Sequence, residues 1–232
     1  MLIIDNDLQM RVDWQLETGP GINPVPADLF VGFHSTDQFL RVTNVSTLQY
    51  GGALLTCKRQ VPLVFPGMEK LFYAALYLEF MLSKFDFENL WAHETDLKAV
   101  VQGAPNAATK IPNVFDWSAQ VNMGRGGMFQ IDQVGGGWID TGIKIPPVPD
   151  VWNALEIFFK ADVTSSKFSV TGVTSNGSHY NVPTGLQNVP LLSSNWQPVA
   201  AVQFQNEVSK PGVVNITYRK VNLLYSPDPI KV

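Results

Sequence analysis

Charge is scarce in this chain. Asp, Glu, Lys and Arg make up 16% of its 232 residues, against roughly 25% in an average soluble protein, and Lys and Arg form no runs. Combined with a formal charge of −4, this leaves no electrostatic footprint for neutralising a phosphate backbone, so nucleic acid is set aside as a partner. Cysteine is nearly absent: Cys57 stands alone, which excludes an internal disulfide and a Cys-based zinc site. His34, His93 and His179 are too dispersed for His-x-His or His-x-x-x-His ligation, so zinc is not expected. Long apolar runs are missing too. No segment reaches the eighteen or so residues of a membrane-spanning helix, and Asp5 and Asp7 interrupt the apolar start where a signal peptide would continue. The chain as given is therefore expected to be soluble and unanchored, with its compartment open. Neither Gly124-Arg-Gly-Gly127 nor Gly135-Gly-Gly137 has the Lys and helix of a phosphate loop, and no Gly-x-Ser-x-Gly elbow is present.

What the sequence does have is alternation. From Phe39 onward, apolar residues recur mainly at a spacing of two, and clusters of Gly, Pro and Asn cut the chain into short runs. Phe72 to Leu82 puts Phe72, Ala74, Leu76, Leu78, Phe80 and Leu82 on one face and Tyr73, Tyr77 and Glu79 on the other, which reads as a strand; a buried helix is the alternative. Trp91 to Val101 puts Glu94, Asp96 and Lys98 on one face and Thr95, Leu97, Ala99 and Val101 opposite, with His93 toward the core. These two segments are expected to be antiparallel or near-neighbour strands. Phe115 to Asp132 reads as two strands around the Gly124 turn, and Trp152 to Val163 faces Leu155, Ile157, Phe159 and Ala161 inward. Phe168 to Val173 leads into Ser175-Asn-Gly-Ser178, a strong hairpin signal because both central residues must take positive φ. Val199 to Gln205 and Val214 to Leu224 complete about a dozen strands. Residues 1–232 contain no internal repeat and no low-complexity linker, so a single all-β domain is expected: a two-sheet antiparallel β-sandwich or jelly roll.

The order of several segments resembles the concanavalin A-like lectin/glucanase superfamily between about Phe39 and Tyr225. These are Phe39-Leu-Arg-Val-Thr with Gly51-Gly52, the Phe72 to Leu82 strand, the acidic Trp91 to Lys98 strand, Asp150 to Phe159 followed by Phe168-Ser-Val-Thr-Gly172, and Val214 to Leu224. The resemblance implies a jelly-roll sandwich with a glycan ligand in a concave groove. Similar sandwiches serve as lectins, laminin-G-like modules, polysaccharide lyases and retaining glycoside hydrolases, so the fold leaves function open.

Glu94-Thr-Asp96 matches the first two acids of the Glu-x-Asp-x-Glu or Glu-x-Asp-x-x-Glu pattern in those hydrolases, where the final Glu protonates the leaving oxygen. Here Lys98 or Ala99 stands in that place. Glu94 and Asp96 would have α-carbons roughly 6.6 Å apart on a strand, whereas retaining hydrolysis needs carboxyl groups about 5 to 5.5 Å apart in nucleophile and acid/base roles. Glu94 and Asp96 are the candidate catalytic pair, with Asp132 or Glu207 as acids from other strands; the alternative is a solvated charge row in which Lys98 neutralises Asp96. Flat rings and amides suit sugar recognition. Trp91 and Trp138, with Lys98, Gln130, Asp132, Gln203 and Gln205 as polar partners, are the candidate ligand-binding residues. Asp5, Asn6 and Asp7 form an oxygen cluster suited to a structural calcium ion, and no other cofactor is expected. The leading expectation is a non-catalytic, carbohydrate-binding, lectin-like domain. Its alternatives are a divergent glycoside hydrolase or polysaccharide lyase using Glu94 and Asp96, and a structural or interaction module.

Overall fold

The computed structural model describes residues 3–5, 14–17, 30–34, 39–46, 52–59, 70–105, 112–133, 137–165, 167–183, 187–188 and 200–231. In chain order the strands are β1 (Ile3–Asp5), β2 (Trp14–Glu17), β3 (Phe30–His34), β4 (Phe39–Ser46), β5 (Gly52–Arg59) and β6 (Leu71–Met81). A short helix, α1 (Lys84–Asn89), precedes β7 (Leu90–Pro105), β8 (Pro112–Asn122), β9 (Met128–Asp132), β10 (Trp138–Lys144) and β11 (Asn153–Asp162). Then come β12 (Lys167–Ser175), β13 (Ser178–Asn181), β14 (Gln187–Asn188), β15 (Ala200–Val208) and β16 (Gly212–Ser226).

These strands form two antiparallel sheets. The first runs β13-β12-β11-β6-β16-β4-β3, with β1 against β16 and β14 against β12; the second runs β10-β9-β8-β7-β15-β5-β2. Alternation explains the layering. In β6 the even-numbered apolar residues Phe72, Ala74, Leu76, Leu78 and Phe80 are buried, and in β11 so are Leu155, Ile157, Phe159 and Ala161, as their spacing predicts. The helix alternative for Phe72 to Leu82 is thereby excluded. Inner-face rings lock the sheets together: Trp117 of β8 meets Phe72 edge-on at 6.0 Å, Phe159 at 5.4 Å and Phe168 at 5.8 Å between centroids.

The predicted neighbour pairing of β6 and β7 is corrected: they belong to opposite sheets. The chain crosses between layers through α1. Ser83 caps that helix, accepting from the Asp86 amide at 3.1 Å and donating to Asp86 Oδ2 at 2.6 Å, so a Ser-x-x-Asp cap ends one strand and redirects the next. The other turn signals match their geometry. Asn176 and Gly177 take φ of 47° and 83° between paired Ser175 and Ser178, as a tight two-residue hairpin requires.

A polar cluster centred on His93 sits deep in the core. His93 of β7 is buried against the rings of Phe80, Phe204 and Tyr218. Its Nδ1 lies 2.8 Å from Asn206 Oδ1, and Asn206 Nδ2 donates to the Tyr218 hydroxyl at 3.1 Å. Nε2 has no hydrogen-bond partner among the described residues. Burial therefore disfavours the charged ring and lowers its pKa to about 4, against the smaller opposing effect of Asn206. In the unfolded chain the ring titrates near 6.5. Between these values the unfolded state binds the extra proton, so the contribution of His93 is complete above about pH 6.5 and is lost as pH falls toward 4. The difference in unfolding free energy between the parent and His93→Gln should rise by about 1.4 kcal/mol per pH unit at most across that window, as measured by urea titrations at successive pH values. An equal slope in both proteins would refute the assignment.

Candidate functional site

The inner face of the second sheet is apolar, so alternation directs the other parity of residues outward. The register then assembles them into rows. Gln205 of β15 pairs with Glu94 of β7, Glu94 with Gln120 of β8, Gln120 with Gln130 of β9, and Gln130 with Asp140 of β10. On one side of this row, Glu207 pairs with Ala92, Ala92 with Asn122, and Asn122 with Met128. On the other, Gln203 pairs with Asp96 and Asp96 with Ser118, while Asp132 pairs with Trp138. Lys98 follows opposite Ala201 and Asp116. The topology thus collects Glu94, Asp96, Lys98, Gln130, Asp132, Trp138 and Gln203 on adjacent strands of one sheet, although β7 and β15 are about a hundred residues apart in sequence.

Hydrogen bonds hold this face rigid. Gln130 Oε1 accepts from Gln120 Nε2 at 2.7 Å and from Asn122 Nδ2 at 3.0 Å, while Gln130 Nε2 donates to Asp140 Oδ1. The other Asp140 oxygen pairs with Arg125 at 2.6 Å. Gln130 is only 2% exposed, so its amide organises the row. Glu94 and Trp138 are half-buried. Trp91 stands at a bulge in β7, where Leu90 and Ala92 pair with consecutive residues of β15 and leave it the extra residue. Its ring lies directly on Gly124, where an added β-carbon would be 2.2 Å from ring carbons. Only glycine fits beneath that ring.

Glu207 also lies on this face, half-buried. Burial raises its pKa, with partial relief from Gln205 Nε2, which donates to its carboxyl at 3.0 Å. Because Gln205 pairs with Glu94 and Glu207 with Ala92, Glu207 is a diagonal neighbour of Glu94, at a cross-strand spacing of roughly 7–8 Å between α-carbons. A carboxyl whose pKa is raised by burial thus lies diagonally beside a second acid.

Sequence reasoning omitted Gln120, Asn122 and Asp140 from the site. The signal for Gln120 and Asn122 was present as a period-two polar stripe, Asp116-x-Ser118-x-Gln120-x-Asn122. The proposed calcium ligands divide. Asp5 lies in β1 opposite Leu223, whereas Asn6 and Asp7 lie outside the described residues. Among the described residues, no group of three or more His, Cys, Asp or Glu is arranged to hold a metal ion.

No family model matches the chain, and no curated protein matches it in sequence. Solved structures do match. Basic winged bean lectin with Tn-antigen superposes with a TM-score of 0.51 at 12% identity, over 97% of this chain and 99% of its own. Lectin UEA-II complexed with galactose gives 0.50 at 10% identity, over 97% and 98%. Alginate lyase vAL-1 from Chlorella virus gives 0.48 at 13% identity, over 84% and 88%. The chain has the concanavalin A-like jelly-roll fold. In this sandwich the polar rows occupy the outward face of one sheet and the first sheet backs them.

The Gln130 amide accepts two hydrogen bonds at once, so Gln130→Ala should leave the Gln120 and Asn122 amides without their acceptor. The expected loss is about 1–3 kcal/mol of unfolding free energy, read by urea denaturation, and Gln130→Glu should not restore it, because its second oxygen would meet Asp140 Oδ1 with a like charge in place of the amide donor. A change below 0.5 kcal/mol, the usual range for an unremarkable surface site, would show that Gln130 does not organise the row.

Proposed function

We propose that this chain is a carbohydrate-binding, lectin-like domain whose glycan lies across the outward face of the second sheet. One observation carries the reading: a connected row of amides and carboxyls crosses five neighbouring strands, with Trp138 half-buried beside it. Sugars present hydroxyls that both donate and accept, together with flat C–H faces, and such a surface answers both needs. Its donors and acceptors are pre-paired, which lowers the ordering cost of binding. The two lectins of similar fold, one holding Tn-antigen and one galactose, agree with this reading at the level of architecture.

A second reading is a divergent glycoside hydrolase or lyase, and Glu207 favours it. The hydrolase pattern lacks its final Glu on the Glu94 strand, and Glu207, with its pKa raised by burial, supplies an acid from the next strand. The binder is preferred because Gln205 already engages the Glu207 carboxyl and Lys98 or Ala99 stands where the expected acid would be.

A glycan array probed with the parent protein, followed by titration of the best glycan, tests both readings. Trp138→Ala and Glu94→Gln should each weaken binding about tenfold or more, in line with the dominance of a few buried contacts in small interfaces. The bound glycan should be recovered intact. Unchanged binding in both variants would overturn the proposed face. Release of reducing ends or unsaturated products, abolished by Glu207→Gln, would establish the enzyme in place of the binder.

A further inference from the structure

The amide row marks where a glycan lies on the second sheet, and the charged groups around that row bear on what the glycan carries. At outward register positions of β15, β7, β8, β9 and β10 stand Glu207, Glu94, Asp96, Asp116, Asp132 and Asp140, against Lys98 and Lys144. Arg125, in the turn after β8, adds a cation, but its guanidinium is already committed to Asp140 at 2.6 Å. Carboxyls therefore exceed cations on this face. A glycan bearing carboxylates or sulfates would meet like charge along most of its length.

Two places join a carboxyl to the means of holding a sugar. Asp132 of β9 pairs with Trp138 of β10, and both are half-buried, so a flat ring suited to the C–H face of a pyranose adjoins a carboxyl. On β15 and β7, Glu207 lies diagonal to Glu94, and these too are half-buried. Burial works against the charge of the Glu207 carboxyl, and the neutral Gln205 amide at 3.0 Å offsets only part of that cost. An ammonium group seated between Glu207 and Glu94 would bring the opposite charge that favours both carboxylates. A sugar hydroxyl brings none. β7 and β9 are two strand spacings apart, about 10 Å, so the two places suit separate units of a chain rather than a single sugar ring.

We propose, building on the glycan reading of this face, that its ligand is a linear chain of amino sugars with free, charged amines. Glu94 and Glu207 take an ammonium group at one side of the rows, and Asp132 takes another beside Trp138.

Titration calorimetry of the full chain at about pH 6, where amines are charged and ordinary carboxyls ionised, tests this with the β-linked tetramer of glucosamine, the same tetramer fully N-acetylated, a tetramer of mannuronate, and tetralysine. The glucosamine tetramer should bind at least about tenfold more tightly than each of the others, the preference expected of a charge-assisted hydrogen bond joined to sugar recognition. Its affinity should fall as salt is raised. Glu94→Gln and Asp132→Asn should each lower the ratio of glucosamine to N-acetylglucosamine tetramer affinity about threefold or more, with the parent's melting transition. Equal or tighter binding of the N-acetylated or mannuronate tetramer would overturn the amino-sugar assignment and leave the glycan face in place. Equal binding of tetralysine would reduce the preference to charge attraction and overturn it as well, and an unchanged ratio in both variants would remove it from these carboxyls. Binding of no glycan, among these tetramers or on the array, would instead bring down the glycan face itself.

Discussion

The rest of the structure depends on the burial of two alternating strand faces against each other. Each strand can turn only one parity of its residues inward, so once Trp117, Phe72, Phe159 and Phe168 meet between the sheets, the outward residues follow. A slip of one residue would drive Glu94 and Gln120 into the core and expose Leu97 and Trp117, which the burial of apolar surface strongly opposes. The same contact that stabilises the sandwich therefore also fixes which side chains line its outer faces.

Polar groups inside or beside the core reinforce this register. The His93, Asn206 and Tyr218 contacts join three strands across the two sheets, while Phe204 stacks on Tyr218 at 4.4 Å. On the first sheet, Glu79 is 7% exposed and accepts from Tyr77 at 2.7 Å, Lys220 at 2.8 Å and Arg219. Burial alone would raise the Glu79 pKa, but these donors outweigh it and hold the carboxyl at about 2. For Tyr77, burial and the Glu79 contact act together and raise the hydroxyl to about 12. Lys220 reaches Glu79 from a backbone φ of 50°, at the register shift between Arg219 and Asn222. Left-handed backbone costs a non-glycine residue roughly 1–2 kcal/mol, which a charge-assisted hydrogen bond of about 1.5–3 kcal/mol can offset. Arg219 also lies 4.0 Å from the Trp152 ring centroid, so this cluster pins the bulge at the centre of the sheet.

The two outer faces consequently differ in kind. That of the second sheet is a connected lattice of amides and carboxyls, with donors and acceptors matched across strands and one acid, Glu207, driven toward its protonated form by burial. That of the first sheet is divided between the saturated Glu79 cluster and a cavity lined by Arg41, Asp86, Asp150, Asn215 and Thr217. In the first case the polar groups satisfy each other across neighbouring strands. In the second they close around a compact pocket.

The sequence by itself determined most strands from Phe39 onward, their inward faces and the Asn176-Gly177 hairpin, because period-two burial and positive φ are local requirements written into neighbouring residues, but it left β1 to β3 unread and placed Trp138, the start of β10, in a loop. It also carried the stripes from which the polar rows are made, and it marked His93 as a core residue by parity alone. Which strands lie side by side was decided only in the tertiary structure. Pairing is settled by contacts between residues far apart in sequence, and so β6 and β7, successive in the chain, separate into opposite sheets, while β7 and β15 join. Glu207 became a neighbour of Glu94, and Arg41 a neighbour of Thr217, only through that long-range register. No spacing along the chain encodes these distances, because they arise when two distant strands are forced to share one buried face.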